Sequence, residues 1–560
     1  MRHSHEEILK LLEKLEDQKA HELESETLEF KEWIPNKNRL YKVLTEYAVC
    51  FANQKGGTIV LGIKDKVVGK DKAITGCAGY NIYEIRSQIY EATDPKILVD
   101  VEELELEDLG VKLLLIHVPP TIGFCTATDG TAKIRIGTSC KPLTGSMRQR
   151  KLMEAGLLDV TGQVISDLHQ DSLDKIEIER LRHLIHSKKP DSPLLRIGET
   201  ELLRQLGILR NSSLTLAGLL LVGKEEVMHE YIPSHEVEYL EMKSETDYSR
   251  RKTYHCGLLR LLEEVYADIE RINRITTVKI GLFHYEIKDF PEETYREAVL
   301  NAVLHRDYTA PGSVFIKHYK NRLEISNPGG FIAGITPENI LRQDSIPRNR
   351  LLAEVLRKIG LIEKAGVGVK RMFYVQLANG KPPPIYRANE HTVRVILQND
   401  TLDEAFTRFV RTREKEGKPL ELDELLVLSV LRRQRELSLS EAARLLQLDL
   451  NPTRVLLMQM VRQGLLEKSG IRKGMVFRLS GALYRQLGES VAYIRERGID
   501  EIRYPEMILQ FIEEHGSITN RQARELLGVD RNRAFRILSK LTSKKIKKIG
   551  KGRGARYVLK

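Results

Sequence analysis

The chain is poor in cysteine and has no long apolar run. Only five cysteines occur among 560 residues. No two of them form a CxxC pair and none lies in a histidine cluster, so neither a structural zinc site nor a disulfide framework is expected. The longest apolar stretch, LTLAGLLLVG near residue 220, is too short to span a bilayer. We therefore expect a cytoplasmic protein in a reducing environment, with no membrane partner.

Two common phosphate-binding sequence motifs are also missing. The chain has no GxxxxGK[ST] pattern, which argues against the P-loop motor of helicases. The letters HRD at 305–307 lie inside a helical pattern, and neither a DFG motif nor a glycine-rich loop with a following strand lysine accompanies them. This absence argues against a protein-kinase active site.

Positive charge is concentrated near the C-terminus. The formal net charge is +11, yet residues 531–560 contain twelve Lys or Arg and no Asp or Glu. The rest of the chain is thus close to neutral. A basic segment on a balanced body is typical of a protein that binds a polyanion, most often RNA or DNA. The alternative interpretation is a solubilising tail.

The length and the order of patterns predict several domains of mixed α/β and α+β class. Roughly three to five domains are expected for a chain of this size. Helix and strand patterns predict an α+β domain over 1–150 and an α/β unit over 290–400. Residues 151–289 contain no chemical motif and are interpreted as a connecting region. Residues 401–420 are highly charged and are interpreted as a linker.

The last part of the chain contains an internal repeat. SLSEAARLLQLDLNPTRVLL aligns by pattern with SITNRQARELLGVDRNRAFRIL, and each copy continues into a basic hairpin. This order predicts two winged helix-turn-helix domains, over 421–482 and 504–560. Winged helices that bind only proteins are the alternative, above all for the first copy. In the second copy the expected recognition helix and wing supply the candidate nucleic-acid contacts Arg531, Arg533, Arg536, Lys547, Lys548, Lys551 and Arg553.

A helical pattern in the second α/β unit carries polar residues on one face. In YREAVLNAVLHRDY, Glu297, Asn301 and His305 recur every four residues. Asn301 interrupts an apolar run and needs a hydrogen-bond partner, because burying it unpaired costs about 1–3 kcal/mol. Taken alone, this pattern is equally typical of a core asparagine on an amphipathic helix.

Two glycine motifs follow this helix. They occur in the strand RLEISNPGGF and in EKAGVGVKRM, where G-x-G opens a helix. A helix with E-x-x-x-N followed by these motifs resembles the GHKL ATPases (gyrase, histidine kinases and MutL) over about residues 290–400. The resemblance implies that Asn301 holds a Mg²⁺ bridging the phosphates of ATP and that Glu297 activates water. The remaining ATP contacts that it implies are His305, Asn327, Gly329, Gly330, Gly366, Gly368 and Lys370.

One position departs from the GHKL pattern. The class normally has Asp before the first glycines, where its carboxylate accepts a hydrogen bond from the adenine amino group. Here the residue is Asn327. Its side-chain oxygen accepts a hydrogen bond but carries no charge. Nucleotide binding is therefore expected more firmly than hydrolysis.

Acidic residues also cluster in LESETLEFKEW near the N-terminus. Glu29 and Lys31 are two residues apart, so they share a face of the predicted strand, which Glu24 precedes. Asp65 follows the next predicted strand, TIVLGIK. Three carboxylates and a lysine are the usual side chains of a metal-dependent nuclease, in which Mg²⁺ or Mn²⁺ activates the water that attacks a phosphodiester.

These residues lie in a stretch that is similar to the Schlafen AlbA-type (AlbA_2) domain. ESETLEFK, AVCFANQKGGTIVLGIKDK and KIRIGTSCKP carry the resemblance over about residues 20–150. It implies a three-carboxylate site of Glu24, Glu29 and Asp65, with Lys31 beside the scissile phosphate. Many AlbA-type domains only bind nucleic acid, however, and the same acids can form structural ion pairs. Both interpretations stay open at this point.

The order of AlbA-type domain, GHKL-like module and winged helices resembles a bacterial group described as transcriptional regulators or helicase-related proteins. Some Schlafen-type proteins act in defence against phage. Our first hypothesis is an ATP-gated, metal-dependent nuclease that acts on RNA or DNA as a homodimer or higher homo-oligomer. The second is a non-enzymatic, ATP-sensing transcriptional regulator that binds duplex DNA. The third is an ATPase-driven scaffold that recruits partners through its first winged helix.

Overall fold

A computed structural model gives the fold of the chain and shows a mixed α/β protein of several domains. It describes residues 2–280, 283–332, 334–362, 366–399, 402–469, 475–487, 504–513, 515–527, 529–542, 545–550 and 555–560. Two compact units are present, Met1–Val160 and Thr161–Lys560. Across the described residues no helix is long and apolar enough to cross a membrane.

The first unit is built on a four-stranded mixed sheet with the strand order β1-β2-β5-β4. Strands β1 and β2 are parallel, and the other neighbours are antiparallel. The strands are β1 (Leu28–Lys31), β2 (Gly57–Leu61), β3 (Thr93–Asp94), β4 (Asp100–Leu106), β5 (Val111–Val118), β6 (Thr126–Ala127), β7 (Lys133–Ile136) and β8 (Ser139–Pro142). The helices are α1 (His5–Glu13), α2 (Lys37–Ala52), α3 (Lys70–Ala73), α4 (Ile82–Glu91) and α5 (Gly145–Glu154).

Both faces of this sheet are covered, because its strands are apolar on both sides. In β5 the side chains of Leu113 and Leu115 belong to one apolar cluster with α1, whereas Leu114 and Ile116 belong to another with α2 and α4. The shorter strand β1 alternates in the same way. Leu28 and Phe30 of this strand belong to the α1 cluster. The alternating residues Glu29 and Lys31 therefore lie on the other face of the sheet, toward α2.

One prediction about the cysteines is wrong. Cys50 in α2 and Cys140 in β8 are bonded, with their sulfur atoms 2.07 Å apart, although we expected no disulfide. The two residues are 90 positions apart and belong to no cysteine motif. They meet because the β7–β8 hairpin packs on α2. Tertiary packing of this kind leaves no signature in cysteine spacing.

The second unit contains a six-stranded sheet with the order β13-β12-β16-β17-β19-β18. Strands β12 and β16 are parallel and the other neighbours are antiparallel. Strands of this unit up to residue 398 are β9 (Val164–Ile165), β10 (Leu209–Arg210), β11 (Ser213–Thr215), β12 (Val237–Met242), β13 (Tyr248–Tyr254), β14 (Ile275–Ile280), β15 (Phe283–Lys288), β16 (Val314–His318), β17 (Arg322–Pro328), β18 (Ile385–Ala388) and β19 (Thr392–Gln398).

One apolar core joins this sheet to its helices. It contains residues from both sides of residue 289, where the connecting region was expected to end. Strands β12 and β13 come from that region and pair in the same sheet as β16 to β19. Their buried residues belong to one cluster with those of the following helices. The helices up to residue 378 are α6 (Lys175–Lys188), α7 (Glu199–Gln205), α8 (Leu216–Val222), α9 (Glu225–Tyr231), α10 (Leu258–Ile272), α11 (Glu292–Leu304), α12 (Arg350–Lys358) and α13 (Gly368–Ala378).

Two similar arrangements of helices and a hairpin follow. In each, a short strand, two helices and a two-stranded hairpin succeed one another, after a preceding helix. The first arrangement comprises α15 (Leu422–Leu431), β20 (Leu437–Ser438), α16 (Leu439–Leu446), α17 (Leu450–Arg462), β21 (Leu466–Ser469) and β22 (Val476–Leu479), and α18 (Gly481–Gln486) comes after it. The second comprises α19 (504–513), β23 (Ile518–Thr519), α20 (Asn520–Leu527), α21 (Arg531–Thr542), β24 (Ile546–Ile549) and β25 (Arg556–Leu559).

The segment 401–420 is not a plain linker. It contains the helix α14 (Glu404–Lys415), whose residues Phe406, Phe409 and Val410 are buried in a core shared with α13 and α15. Their spacing of three and four places them on one face of the helix. The many charges of this segment lie on its other faces, which is why composition alone suggests a linker.

Candidate nucleotide and nucleic-acid sites

A cavity of about 280 Å³ lies in the second unit between α11, the end of β17 and the start of α13. This volume is near the lower end of that of small-molecule pockets. The ATP contacts expected from the sequence come together here, with Gly329 next to the cavity wall. Those that line it are Glu297, Asn301, His305, Asn327, Gly330, Gly366, Gly368 and Lys370.

The polar face of α11 is held together by an internal hydrogen bond. Asn301 Nδ2 donates to Glu297 Oε1 at 2.9 Å, so Asn301 has the partner that its place in an apolar run requires. The carboxyl group of Glu297 lies against the backbone of Gly368. A Cβ atom at Gly368 would be 1.8 Å from Glu297 Oε1, so only glycine fits this close approach of α13 to α11.

The glycine pair after β17 is held by a buried arginine. Gly329 has a φ of +95°, a conformation that favours glycine. Arg348 is 6% exposed, and its Nη2 donates to the carbonyl oxygen of Gly330 at 2.8 Å. Its Nη1 lies 3.9 Å from Asp307 Oδ2. Sequence reasoning did not identify Arg348, because the loop SIPRNR matches no motif.

Two further residues of the cavity are uncharged at neutral pH. Burial, together with the charge of Arg348, lowers the pKa of His305 to about 4, so its imidazole is neutral. Asn327 Nδ2 donates to the carbonyl oxygen of Pro328 at 3.1 Å. The acceptor that Asn327 has to offer a ligand is therefore an amide oxygen rather than a carboxylate.

The HRD letters have a structural explanation. Arg306 is 1% exposed and donates to the backbone carbonyl oxygens of Ser234, Ala310 and Gly312 at 2.6, 3.3 and 2.6 Å. These bonds tie the end of α11 to the surrounding loops. The guanidinium group of Arg306 therefore makes its hydrogen bonds inside the fold and does not line the cavity.

In the first unit, Glu29 and Lys31 belong to a buried ion-pair cluster. Glu29 is 2% exposed and contacts Lys31 Nζ, while its Oε2 lies 2.5 Å from Arg135 Nη1. Arg135, on β7, is 1% exposed and also donates to the carbonyl oxygens of Ser25 and Leu28. The sequence analysis missed Arg135, although an arginine inside the apolar strand KIRI is a signal of a buried pair.

Glu24 lies at the edge of this cluster. Its Oε1 accepts a hydrogen bond from the backbone N–H of Phe30 at 3.1 Å and is 4.0 Å from Lys31 Nζ. Burial, and then the charge of Glu29, raise the pKa of Glu24 to about 7. The two carboxyl groups are thus close enough to repel each other.

Asp65 has a different neighbour. Its Oδ1 lies 3.4 Å from Nδ1 of His21, a residue that the sequence analysis did not select. Within the described part of the chain, no three His, Cys, Asp or Glu side chains are grouped so that they could hold a metal ion. The structure therefore brings Glu24, Glu29 and Lys31 together but does not assemble the three expected carboxylates as a ligand set.

The second C-terminal arrangement presents its predicted basic residues in two ways. Arg531, Arg536, Lys547 and Lys548 are exposed. Arg533 is half-buried, with its guanidinium 5.6 Å from the ring centre of Tyr504. The remaining two predicted contacts, Lys551 and Arg553, lie outside the described residues.

Family models match three parts of the chain. Residues 24–144 match the family described as "Schlafen, AlbA_2". Residues 312–397 match the family described as "Putative ATP-dependent DNA helicase recG C-terminal". Residues 150–238 match a domain of unknown function. A comparison with curated proteins finds no match.

Two solved structures match this chain over different lengths. The DIP2311 protein from Corynebacterium diphtheriae is 22% identical, with a TM-score of 0.49, over 96% of this chain and 95% of that chain. The mRNA-binding domain of elongation factor SelB from E. coli, solved with SECIS RNA, is 19% identical with a TM-score of 0.10 over 22% of this chain and 84% of that chain. The family-model matches confirm the two modules expected from the motifs: residues 24–144 are a Schlafen AlbA_2 domain and residues 312–397 are an ATPase-like domain.

Proposed function

We propose that this protein binds nucleic acid and that ATP, bound with Mg²⁺ in the cavity of the second unit, regulates that binding. The observation that carries the proposal is the Glu297–Asn301 pair on α11, which faces a cavity bordered by two glycine turns. Matches to an AlbA_2 domain and to an ATPase-like domain support it. The GHKL character of the module and the winged-helix character of 421–482 and 504–560 are parts of this proposal.

The side chains of the cavity suit a nucleotide. Arg348, Lys370 and Arg371 line it and supply positive charge for phosphates. The helix α13 begins at Gly368, so its first backbone N–H groups face the same cavity. The amide oxygens of Asn301 and Asn327 are acceptors that fit a magnesium ion and the adenine amino group.

Calorimetry with Mg-ATP tests the nucleotide site. Asn301→Ala removes the expected metal ligand and the partner of Glu297, and we expect it to lower the affinity at least tenfold. Asn321→Ala is the control, because Asn321 is an exposed loop residue away from the cavity. An unchanged affinity in Asn301→Ala would contradict the ATP-site assignment.

Metal-dependent cleavage of RNA or DNA is a second candidate function, favoured by the proximity of two carboxyl groups. Burial, and then the charge of Glu29, raise the pKa of Glu24, and a divalent cation bound between the two carboxyl groups would relieve their repulsion. Mg²⁺ or Mn²⁺ would then need Asp65 or other oxygen ligands to complete its shell.

A cleavage assay with tRNA, single-stranded DNA and duplex DNA distinguishes the two candidates. It is run with Mg²⁺ or Mn²⁺, with and without ATP, on the wild type, Glu24→Gln and Asp65→Asn. Glu26→Gln is the control, since Glu26 is exposed and forms a surface ion pair with Lys55. Cleavage that both variants lose supports the nuclease, and plaque assays would then test phage defence. Absence of cleavage, or cleavage that survives in both variants, leaves the regulator.

A further inference from the structure

Helix α21 presents one continuous polar face with an aromatic residue in it. Five exposed residues share this face because they recur at helical spacing: Asn532, Phe535, Arg536, Ser539 and Lys540. On the opposite side, Ala534, Leu538 and Leu541 are buried in the core of this arrangement. The fold therefore fixes which side of α21 faces solvent.

Phe535 contributes little to that core. It is 53% exposed and does not belong to the apolar cluster that holds α19, α20 and α21 together. Its neighbours on the face are polar or basic, and Lys547 and Lys548 of the adjacent hairpin are exposed as well. A large apolar ring surrounded by cations fits a partner that is both anionic and locally apolar.

The first two turns of α21 carry side chains that suit the base edges of DNA. In a major groove, Asn pairs with adenine, Arg pairs with guanine, and an apolar side chain contacts the methyl group of thymine. Asn532, Phe535 and Arg536 provide these three chemistries at positions i, i+3 and i+4. The N-terminal residues of a recognition helix are those that reach the bases.

We propose that α21 reads the major groove of duplex DNA, with Phe535 packed on a thymine methyl group between base contacts from Asn532 and Arg536. The proposal rests on the proposed nucleic-acid binding and names its substrate as DNA. The major groove of A-form RNA is deep and narrow and excludes a helix, and uracil lacks the methyl group. Arg531, Lys547 and Lys548 then contact phosphates.

The acidic residue Asp530 borders this face at the start of α21. Asp530 Oδ1 accepts hydrogen bonds from the backbone N–H groups of Asn532 and Arg533 at 2.8 and 3.0 Å, which caps the start of α21. It therefore anchors the start of the helix. The backbone hydrogen bond from Arg533, with the nearby charges of Arg533 and Arg536, lowers the pKa of Asp530, so its negative charge is offset by these arginines. Arg533, beside Tyr504, supports the domain from the other side.

The test is a thymine-to-uracil exchange in duplex DNA. Duplexes enriched from a random library by the full-length protein are measured by fluorescence anisotropy, with each thymine replaced in turn by uracil. We expect one replacement to weaken wild-type binding about fourfold, the effect of removing one buried methyl group. Phe535→Ala should bind the thymine duplex about fourfold more weakly than the wild type and should not distinguish thymine from uracil at that position.

Two controls complete the experiment. Tyr83→Ala removes an aromatic ring that is 87% exposed elsewhere in the chain, and it should keep the thymine preference. A duplex RNA of the same sequence should bind at least tenfold more weakly than the DNA.

Three outcomes overturn the inference: no position shows a thymine preference, Phe535→Ala retains that preference, or RNA binds as well as DNA. In each of these cases the proposed nucleic-acid binding still stands. Failure to bind any nucleic acid would instead refute the proposed function itself.

Discussion

At the scale of single residues, Glu24 is a carboxyl group whose surroundings favour its neutral form. Its pKa of about 7 lies above the ordinary value of about 4.3, so the folded protein binds more protons than the unfolded chain between these pH values. The free energy of unfolding of the first unit should therefore fall as the pH rises from about 4.5 to 7, by at most about 1.4 kcal/mol per pH unit. Above pH 7 this contribution levels off.

Glu24→Gln should remove this pH dependence. A glutamine keeps the oxygen that accepts from Phe30 but carries no charge to repel Glu29. Urea unfolding between pH 5 and 8, followed by the fluorescence of Trp33, measures the effect, because Trp33 is the chain's single tryptophan and lies in this unit. Glu26→Gln should behave like the wild type. An identical pH slope in Glu24→Gln and wild type would show that the pKa of Glu24 is not raised in the folded protein.

Sequence reasoning selected the charged residues of both sites but not all their partners. Asn301 stands out because it interrupts an apolar run, and Glu297 because it recurs with Asn301 on one face of the helix. Glu29 and Lys31 stand out because they share a face of a strand in an acidic segment. Arg135 and Arg348 meet their partners only through tertiary packing. The loop around Arg348 contains no motif, and the arginine inside KIRI indicates a buried pair without indicating which residue is its partner.

At the scale of elements, the contact between α11 and α13 depends on one glycine. Gly368→Ala would place a Cβ atom on the carboxyl group of Glu297, and overpacking of this kind costs about 1–3 kcal/mol. We expect the affinity for Mg-ATP to fall between about tenfold and a hundredfold, because the cavity lies between these two helices. Isothermal calorimetry measures this loss.

A second substitution shows whether the clash is the cause. Adding Glu297→Ala to Gly368→Ala removes the clashing carboxyl group and should restore nucleotide binding in part. Gly198→Ala is the control, because a Cβ atom there has no atoms within 4 Å. If the double variant binds no better than Gly368→Ala alone, steric overlap with Glu297 is not the reason for the loss.

Most of the predicted helices and strands are confirmed, whereas their grouping was harder to predict. The strands in TIVLGIK and RLEISNPGGF occur as β2 and β17, and the helix in YREAVLNAVLHRDY occurs as α11. Their signal is local periodicity. The pairing of β12 with β16 and the burial of α14 depend on residues far apart in sequence, for which a single chain gives no local signal.

At the scale of the whole molecule, the basic C-terminal part should supply much of the affinity for nucleic acid. Removing residues 504–560 should weaken binding and make it less dependent on salt. The slope of log affinity against log salt concentration should become shallower by about 0.9 for each phosphate of duplex DNA that the protein no longer neutralises. Titrations at several salt concentrations measure the slope. Lys547→Gln with Lys548→Gln should give a smaller change in the same direction. A slope unaffected by the truncation would mean that this part only solubilises the chain.

The segment 336–346 connects the cavity of the second unit to the first helix-and-hairpin arrangement. Residues 343–346 line the cavity. The neighbouring Arg342 pairs with Asp423 Oδ1 at 2.7 Å and donates to the carbonyl oxygen of Leu446 at 2.8 Å. Gln447 accepts from the N–H of Leu341 and donates to the carbonyl oxygen of Pro337, at 2.8 and 2.9 Å. A ligand that changes the conformation of this segment would therefore also change the segment's contacts with α15 and α16.

Arg342→Ala should uncouple the two sites. If ATP changes the affinity for nucleic acid through this segment, the same factor must appear in the effect of nucleic acid on ATP binding, typically about 5- to 150-fold. In Arg342→Ala we expect both coupling factors to fall together toward one. The affinity for Mg-ATP alone should stay within about threefold of the wild-type value, because Arg342 does not line the cavity. Glu436→Ala, which breaks a surface ion pair with Arg478 in the same arrangement, should leave the coupling intact. Coupling that survives in Arg342→Ala would show that the connection between nucleotide and nucleic acid does not run through Arg342.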